Sequence, residues 1–199
     1  MAYSEFTIEK VQNTFKLTIE DTDLFSLVED YPLSSEFLAF LKRGSTLALA
    51  VNTEKAKAEF IIAPILLEVK QLLHDAVSIF SGIDFSVDNE KGLNGVCDFI
   101  ISKSKRQHLL ASPVITIVEA KNDNLRDGVG QCIAEMVAAQ QFNLKNNSNM
   151  QYVYGVVTIG SAWKFLKLQD TTVTLDLEEY FINSPHKIVG IFIHILTQE

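Results

Sequence analysis

The sequence predicts an α/β protein: a mixed β-sheet of about five strands flanked by helices, with an added N-terminal α/β segment. Three observations carry this. Val114–Val118 is an unbroken run of five β-branched residues, the pattern of a strand buried on both faces. Ile61, Ile65, Leu66, Val69, Leu72 and Leu73 recur at helical spacing and make one apolar stripe. Segments of the two kinds are separated by turn residues rather than by linkers or repeats, which makes 1–199 one domain.

The 199 residues are enough to bury a substantial core. Hydrophobic content of 47% and charged content of 21% are ordinary for a folded chain and exclude disorder. No apolar run approaches the ~20 residues of a membrane span, so no membrane partner is expected. The start, Met-Ala-Tyr-Ser-Glu-Phe, lacks a basic-then-apolar signal pattern, so the expected location is cytoplasmic. Cys97 and Cys132 read as small core residues. His74, His108, His186 and His194 have no metal-ligand spacing. The formal net charge of -8 excludes broad electrostatic capture of nucleic acid, but not a local basic rim over an acidic metal site.

In chain order, Phe15, Leu17 and Ile19 share one side of a strand. Leu24–Val28 and Ser34–Lys42 read as short helices, the second capped by Ser34 or Ser35 and ended by Gly44. Asn52 or Thr53 caps the next helix, which runs through Leu73 with a kink or restart at Pro64. Glu59 and Glu68 lie on opposite sides of its stripe, since nine residues turn a helix about 180°. Ile83–Val87 is a strand, and turn residues 90–95 follow it. Val96–Ser102 is the next strand, carrying Asp98. Lys103, Lys105 and Arg106 form a basic turn, read first as a soluble hairpin tip. Asn122–Asp127 is a loop and Gly128–Asn143 a helix with Asp127 as N-cap. Tyr152–Ile159, Trp163–Leu168 and Thr172–Leu175 are strands. Trp163 reads as core. Ile188–Leu196 closes the chain as helix or strand.

The Val114 strand ends in Glu119-Ala120-Lys121. Strand alternation puts Ile115, Ile117, Glu119 and Lys121 on one face. If Val96–Ser102 pairs with it as a hairpin, Asp98 lies beside Glu119. Two adjacent carboxylates repel unless a cation sits between them, and oxygen donors suit a hard ion such as Mg²⁺. A lysine on the same face could hold an attacking water or stabilise charge developing on phosphate. A Glu-x-Lys triplet alone occurs by chance in most chains of this length; its context gives it weight. No glycine-rich turn has the dinucleotide spacing, so a Rossmann-like binder is poorly supported.

The order of helix Glu59, strand Asp98, strand Glu119-x-Lys121 and helix Gln131 resembles the PD-(D/E)XK superfamily of restriction-endonuclease-like nucleases. Gly95-Val96-Cys97-Asp98-Phe99 and Gly130-Gln131 extend the likeness, which covers about 53–168. The resemblance implies a restriction-endonuclease-like core at about 53–168, with additions at 1–50 and 169–199, and Mg²⁺-dependent hydrolysis of phosphodiester bonds in nucleic acid, DNA ranked ahead of RNA, with Mn²⁺ as the substitute ion. Asp98, Glu119 and the Ala120 carbonyl match the metal ligands. Lys121 matches the catalytic lysine and Gln131 the glutamine of the following helix. Glu59 matches the acid of the first core helix, with Glu68 as the second candidate. One departure is that no proline immediately precedes Asp98. More narrowly, Ala48–Ala56, Gly92–Asp98, Val118–Asp123 and Gly130–Met136 resemble a group of uncharacterised cyanobacterial proteins. Dimers are common among restriction-type members, so a homodimer is an analogy for this chain. The alternative is a catalytically silent module of the same fold that binds nucleic acid or a protein partner.

Overall fold

The computed structural model describes residues 2–198. Among them an open mixed sheet of eight strands is flanked by five helices. The helices are α1 (Ile8–Phe15), α2 (Ser35–Val51), α3 (54–72), α4 (Leu125–Lys145) and α5 (Pro185–Thr197). The strands are β1 (Thr18–Thr22), β2 (Ser78–Asp84), β3 (Val96–Ser102), β4 (Val114–Ala120), β5 (Tyr152–Thr158), β6 (Ala162–Gln169), β7 (Thr172–Asp176) and the two-residue β8 (Tyr180–Phe181). Their order is β1-β7-β6-β5-β4-β3-β2, with β8 on β6. β2–β3–β4 and β5–β6–β7 are antiparallel, whereas β4–β5 and β1–β7 are parallel. The parallel β4–β5 step needs a crossover, and α4 supplies it. No helix among the described residues is long and apolar enough to cross a membrane.

Each face of the sheet has its own core. On one, α1 and α4 cover Cys97, Ile100, Ile117 and Val157. On the other, α2, α3 and α5 cover Phe99, Ile101, Ile115, Val118 and Phe165. Val114, Ile115, Ile117 and Val118 are all 1% exposed or less, which is worth about 1.5–3 kcal/mol for each side chain. That surplus sustains a buried carboxylate at the end of the same strand.

The caps follow the residue chemistry. Ser34 Oγ accepts the Phe37 N–H, and Thr53 Oγ1 accepts the Ala56 N–H, so both act as N-caps. Pro64 sits in the first turn of Ala63–Leu72, after a π-helical segment at Ala58–Ile62. The wider turn accommodates the N–H that proline lacks.

Several expectations are corrected. The sheet has eight strands rather than about five, because the two outer segments join it: β1 pairs with β7, and Tyr3, Phe6 and Val11 enter the core. Phe15 belongs to α1 and Leu17 to the link that follows it, so of the three only Ile19 lies in β1. Leu24–Val28 is a turn, held by Asp23 accepting from the Ser26 N–H. α2 runs through Gly44 to Val51 and ends at left-handed Asn52. Gly44 is there for packing, since a Cβ would stand 2.5 Å from the Phe60 carbonyl oxygen. The second strand is Ser78–Asp84, five residues earlier than Ile83–Val87 at its start. α4 begins at Leu125 with Asn124, not Asp127, as its cap. Residues 188–196 are helical.

The common face of Ile115 and Ile117 is also corrected. Ile101 pairs with Thr116 and Ser102 with Val114, so Ile115 is the extra residue of a β-bulge. A bulge breaks the two-residue alternation, and Ile115 packs opposite Ile117. Asn143 of α4 completes the bulged ladder. Its amide oxygen accepts the Val114 N–H and its nitrogen donates to the Val114 carbonyl, both at 2.7 Å.

Candidate functional site

The site lies where β4 ends and its neighbours diverge. The β3–β4 ladder runs as far as Phe99 opposite Val118. Beyond it, the Asp98 carboxylate replaces a ladder partner: Oδ2 accepts the Ala120 N–H at 2.8 Å. On the other side the Lys121 N–H donates to the Thr158 carbonyl at 2.8 Å. Backbone bonds from two directions therefore fix Glu119-Ala120-Lys121.

Glu119 is 2% exposed. Its Oε1 accepts from the Lys121 ammonium at 2.5 Å, and its Oε2 has no hydrogen-bond partner among the described residues. Burial and then the Asp98 charge push its carboxyl up to about 7, against the pull of Lys121. Burial also raises the Asp98 carboxyl; the Ala120 N–H and Lys121 oppose it. Burial works against the Lys121 ammonium, but Glu119 outweighs it and the net shift is upward. The lysine stays charged.

Gln131 stands on the second turn of α4, and its Oε1 accepts from Lys121 Nζ at 3.1 Å. Gln131 Nε2 donates to Glu135 Oε1 at 3.0 Å, one helical turn on. Gly128 lets this helix start close to the lysine. A Cβ there would meet Val157 at 2.6 Å and the Lys121 stem at 3.0 Å.

Asp98 and Ala120 also line a cleft of about 320 Å³ with Glu54, Glu59, Ser81 and Phe99. Glu119, Lys121 and Gln131 are not among its lining residues. Glu59 is half exposed and pairs with Lys55 at 3.8 Å. Glu68 lies in a separate depression beside Phe37, Phe40 and Leu67, so of the two helix acids only Glu59 reaches the cleft. Glu54, which no motif singled out, lines it as well, and its charge bears on Glu119.

The structure thus brings Asp98, Glu119, Lys121 and Gln131 together and leaves Glu59 on the rim. The basic turn at 103–106 is at the far end of the β3–β4 hairpin from Asp98 and Glu119. Cys97, Cys132 and Trp163 are buried. Besides Glu54, two site residues were missed. Lys57, 3% exposed, donates to the Asn122 carbonyl and, at 3.2 Å, to Asn122 Oδ1; it ties α3 to the loop after Lys121. Glu135 is fully buried. Burial first, then Glu119, drive its carboxyl well above the usual range. The signal for it was a single carboxylate in the apolar run Cys132–Ala139.

Among the described residues, no three His, Cys, Asp or Glu side chains are arranged to hold a metal ion. The oxygens expected from the sequence to act as donors are those of the Asp98 and Glu119 carboxylates and the Ala120 carbonyl. These are hard oxygen donors, and Glu119 Oε2 is a buried acceptor with no donor. That set suits an ion that keeps several waters, as Mg²⁺ does. The sequence matches no protein-family model and no curated protein.

Proposed function

We propose that the chain is a Mg²⁺-dependent nuclease of the restriction-endonuclease-like kind, hydrolysing phosphodiester bonds, in DNA by preference. The observation that carries the reading is the Lys121 ammonium, shared between Glu119 and Gln131 beside Asp98. An ammonium has three donors. Two are used, and the third has no partner among the described residues. The mixed sheet, with the Glu59 helix on one face and the Gln131 helix on the other, supports the same reading.

Asp98, Glu119 and the Ala120 carbonyl would hold Mg²⁺, which when bound supplies positive charge to a phosphate oxygen and acidity to a water. The chain's own groups do the rest. The third N–H of Lys121 faces an incoming anion and stabilises the charge that develops on it. Gln131 and Glu119 keep that ammonium from swinging away. The Ala120 N–H holds Asp98 in a fixed orientation. Glu54, beside the Lys55–Glu59 ion pair on the α3 rim, repels a phosphate there, which favours its approach toward Lys121.

A second reading has a specific observation in its favour: Glu119 is 2% exposed and already engaged by Lys121. On this reading the module is catalytically silent and binds nucleic acid or a protein partner. The test is cleavage of plasmid DNA by the purified chain with Mg²⁺ or Mn²⁺. The nuclease reading expects nicking or linearisation that Lys121→Ala abolishes while the variant still melts cooperatively. Intact DNA and RNA with both ions, or equal cleavage by wild type and Lys121→Ala, would overturn it. Binding that survives chelation would then support the silent module.

A further inference from the structure

We propose that Glu135 is a positioning residue for the Lys121 ammonium, acting through the side chain of Gln131. The inference rests on the phosphodiester-cleaving reading for its catalytic consequence, though not for its geometry.

The argument begins with the two ends of a primary amide. They have nearly the same shape, so only their partners decide which end faces which way. Lys121 offers only donors, and it stands 3.1 Å from Gln131 Oε1. Glu135 offers an acceptor oxygen 3.0 Å from Gln131 Nε2. The flipped amide would set its NH₂ against the ammonium and its carbonyl against the Glu135 oxygen. The contact with the ammonium would be repulsive in either protonation state of Glu135, and the contact with Glu135 Oε1 wherever that oxygen carries no proton. Glu135 therefore holds the nitrogen end, leaving the oxygen end for the lysine.

The placement of Glu135 is costly unless it serves this purpose. The residue is 0% exposed, and its Oε2 has no partner among the described residues. Its neighbours in the same core include Cys97, Cys132 and Tyr3. An apolar side chain there would suit packing better. Burial also favours the protonated form of Glu135, so it holds Gln131 without competing with Glu119 for the lysine charge. The line Glu119–Lys121–Gln131–Glu135 thus fixes the lysine from a group that lies outside the cleft.

The test compares the full chain with Glu135→Leu and Glu135→Gln. Two readouts are used: kcat and KM for Mg²⁺-dependent plasmid cleavage, and NMR of the Gln131 side-chain amide and the Lys121 ¹³Cε. Glu135→Leu is expected to lower kcat about 10–100-fold with KM little changed. It should also speed hydrogen exchange of the Gln131 amide protons and shift the Lys121 signal. Glu135→Gln, which keeps an acceptor, should restore most of each. Wild-type rates and unshifted signals in Glu135→Leu would overturn the proposal. So would equal loss of activity in both variants with the Gln131 signals unmoved. If the wild type cleaves nothing, the nuclease reading fails, and the NMR comparison still decides whether Glu135 holds Gln131 and Lys121. If Glu135→Leu does not fold, the wild-type Gln131 amide decides. Slow exchange there supports the hold, and exchange at the rate of a free primary amide overturns it.

Discussion

The Asp98 carboxylate, on β3, accepts its 2.8 Å hydrogen bond from the backbone N–H of Ala120 on β4. One oxygen of the carboxylate thus does the work of a sheet ladder, while the residue also borders the cleft.

Asp98→Asn should separate these two jobs. The asparagine oxygen still accepts the Ala120 N–H, so the melting temperature should stay within a few degrees of wild type. The lost charge should lower Mg²⁺-dependent cleavage by about 100-fold or more, on the scale of a removed metal ligand or electrostatic donor. Thermal melts and plasmid cleavage on the same preparation check both.

Glu119 gives the fold a pH dependence of definite sign. Its carboxyl is raised from 4.5 to about 7 by burial and then by Asp98. Between those values the folded chain keeps a proton that the unfolded chain releases. Its contribution to stability is therefore full below about 4.5, falls as pH rises toward about 7, and is level above. The loss has an upper bound of about 3 kcal/mol at 1.36 kcal/mol per unit. Glu119→Gln should be less pH-dependent by that slope, measured as urea unfolding from pH 4.5 to 8 without divalent ions.

A divalent cation should restore what ionised Glu119 costs. At 100 times its Kd, a ligand specific to the folded state adds about 2.7 kcal/mol. For a chain of this size that is a rise of roughly 5–10 °C in Tm. Mg²⁺ or Mn²⁺ should produce the rise at pH 8, EDTA should reverse it, and Asp98→Asn and Glu119→Gln should lack it. An identical response in all three proteins would mean that the ion binds elsewhere.

Asn143 carries the opposite kind of role, purely structural and 1% exposed. Asn143→Ala leaves both the N–H and the carbonyl of Val114 without partners. The expected cost is about 2–5 kcal/mol. Asn143→Asp keeps only the bond to the N–H and should fall between. Urea midpoints rank the three proteins.

The strands were legible where one local pattern governed them. Val96–Ser102 was read residue for residue, and Val114–Lys121 overran β4 by one residue, because short β-branched and apolar runs bounded by turn residues favour a strand. The faces were less legible. Nothing in Val-Ile-Thr-Ile-Val marks the bulge at Ile115, since a bulge is chosen by the partner strand and by Asn143 of a distant helix. Gly44 reads as a stop from local propensity, yet the close approach of Phe60 decides its role. Leu24–Val28 has helix-forming residues and an N-cap-like Asp23, but Lys187 of α5 takes the Ser26 and Val28 carbonyls and holds the segment as a turn. In the site, Asp98, Glu119, Lys121 and Gln131 were visible from order and spacing. Glu135 was not, because a helical glutamate ordinarily faces water, and only the third dimension shows that α4 is buried nearly all round.

The pairing of Thr18–Thr22 with Thr172–Asp176 has a consequence for biosynthesis. β1 leaves the ribosome long before its partner β7, so its ladder cannot close until residue 176 has emerged. Such long-range closure is entropically expensive and slow. Glu20 and Asp21, carried on that waiting segment, keep it from adhering to other nascent chains in the meantime.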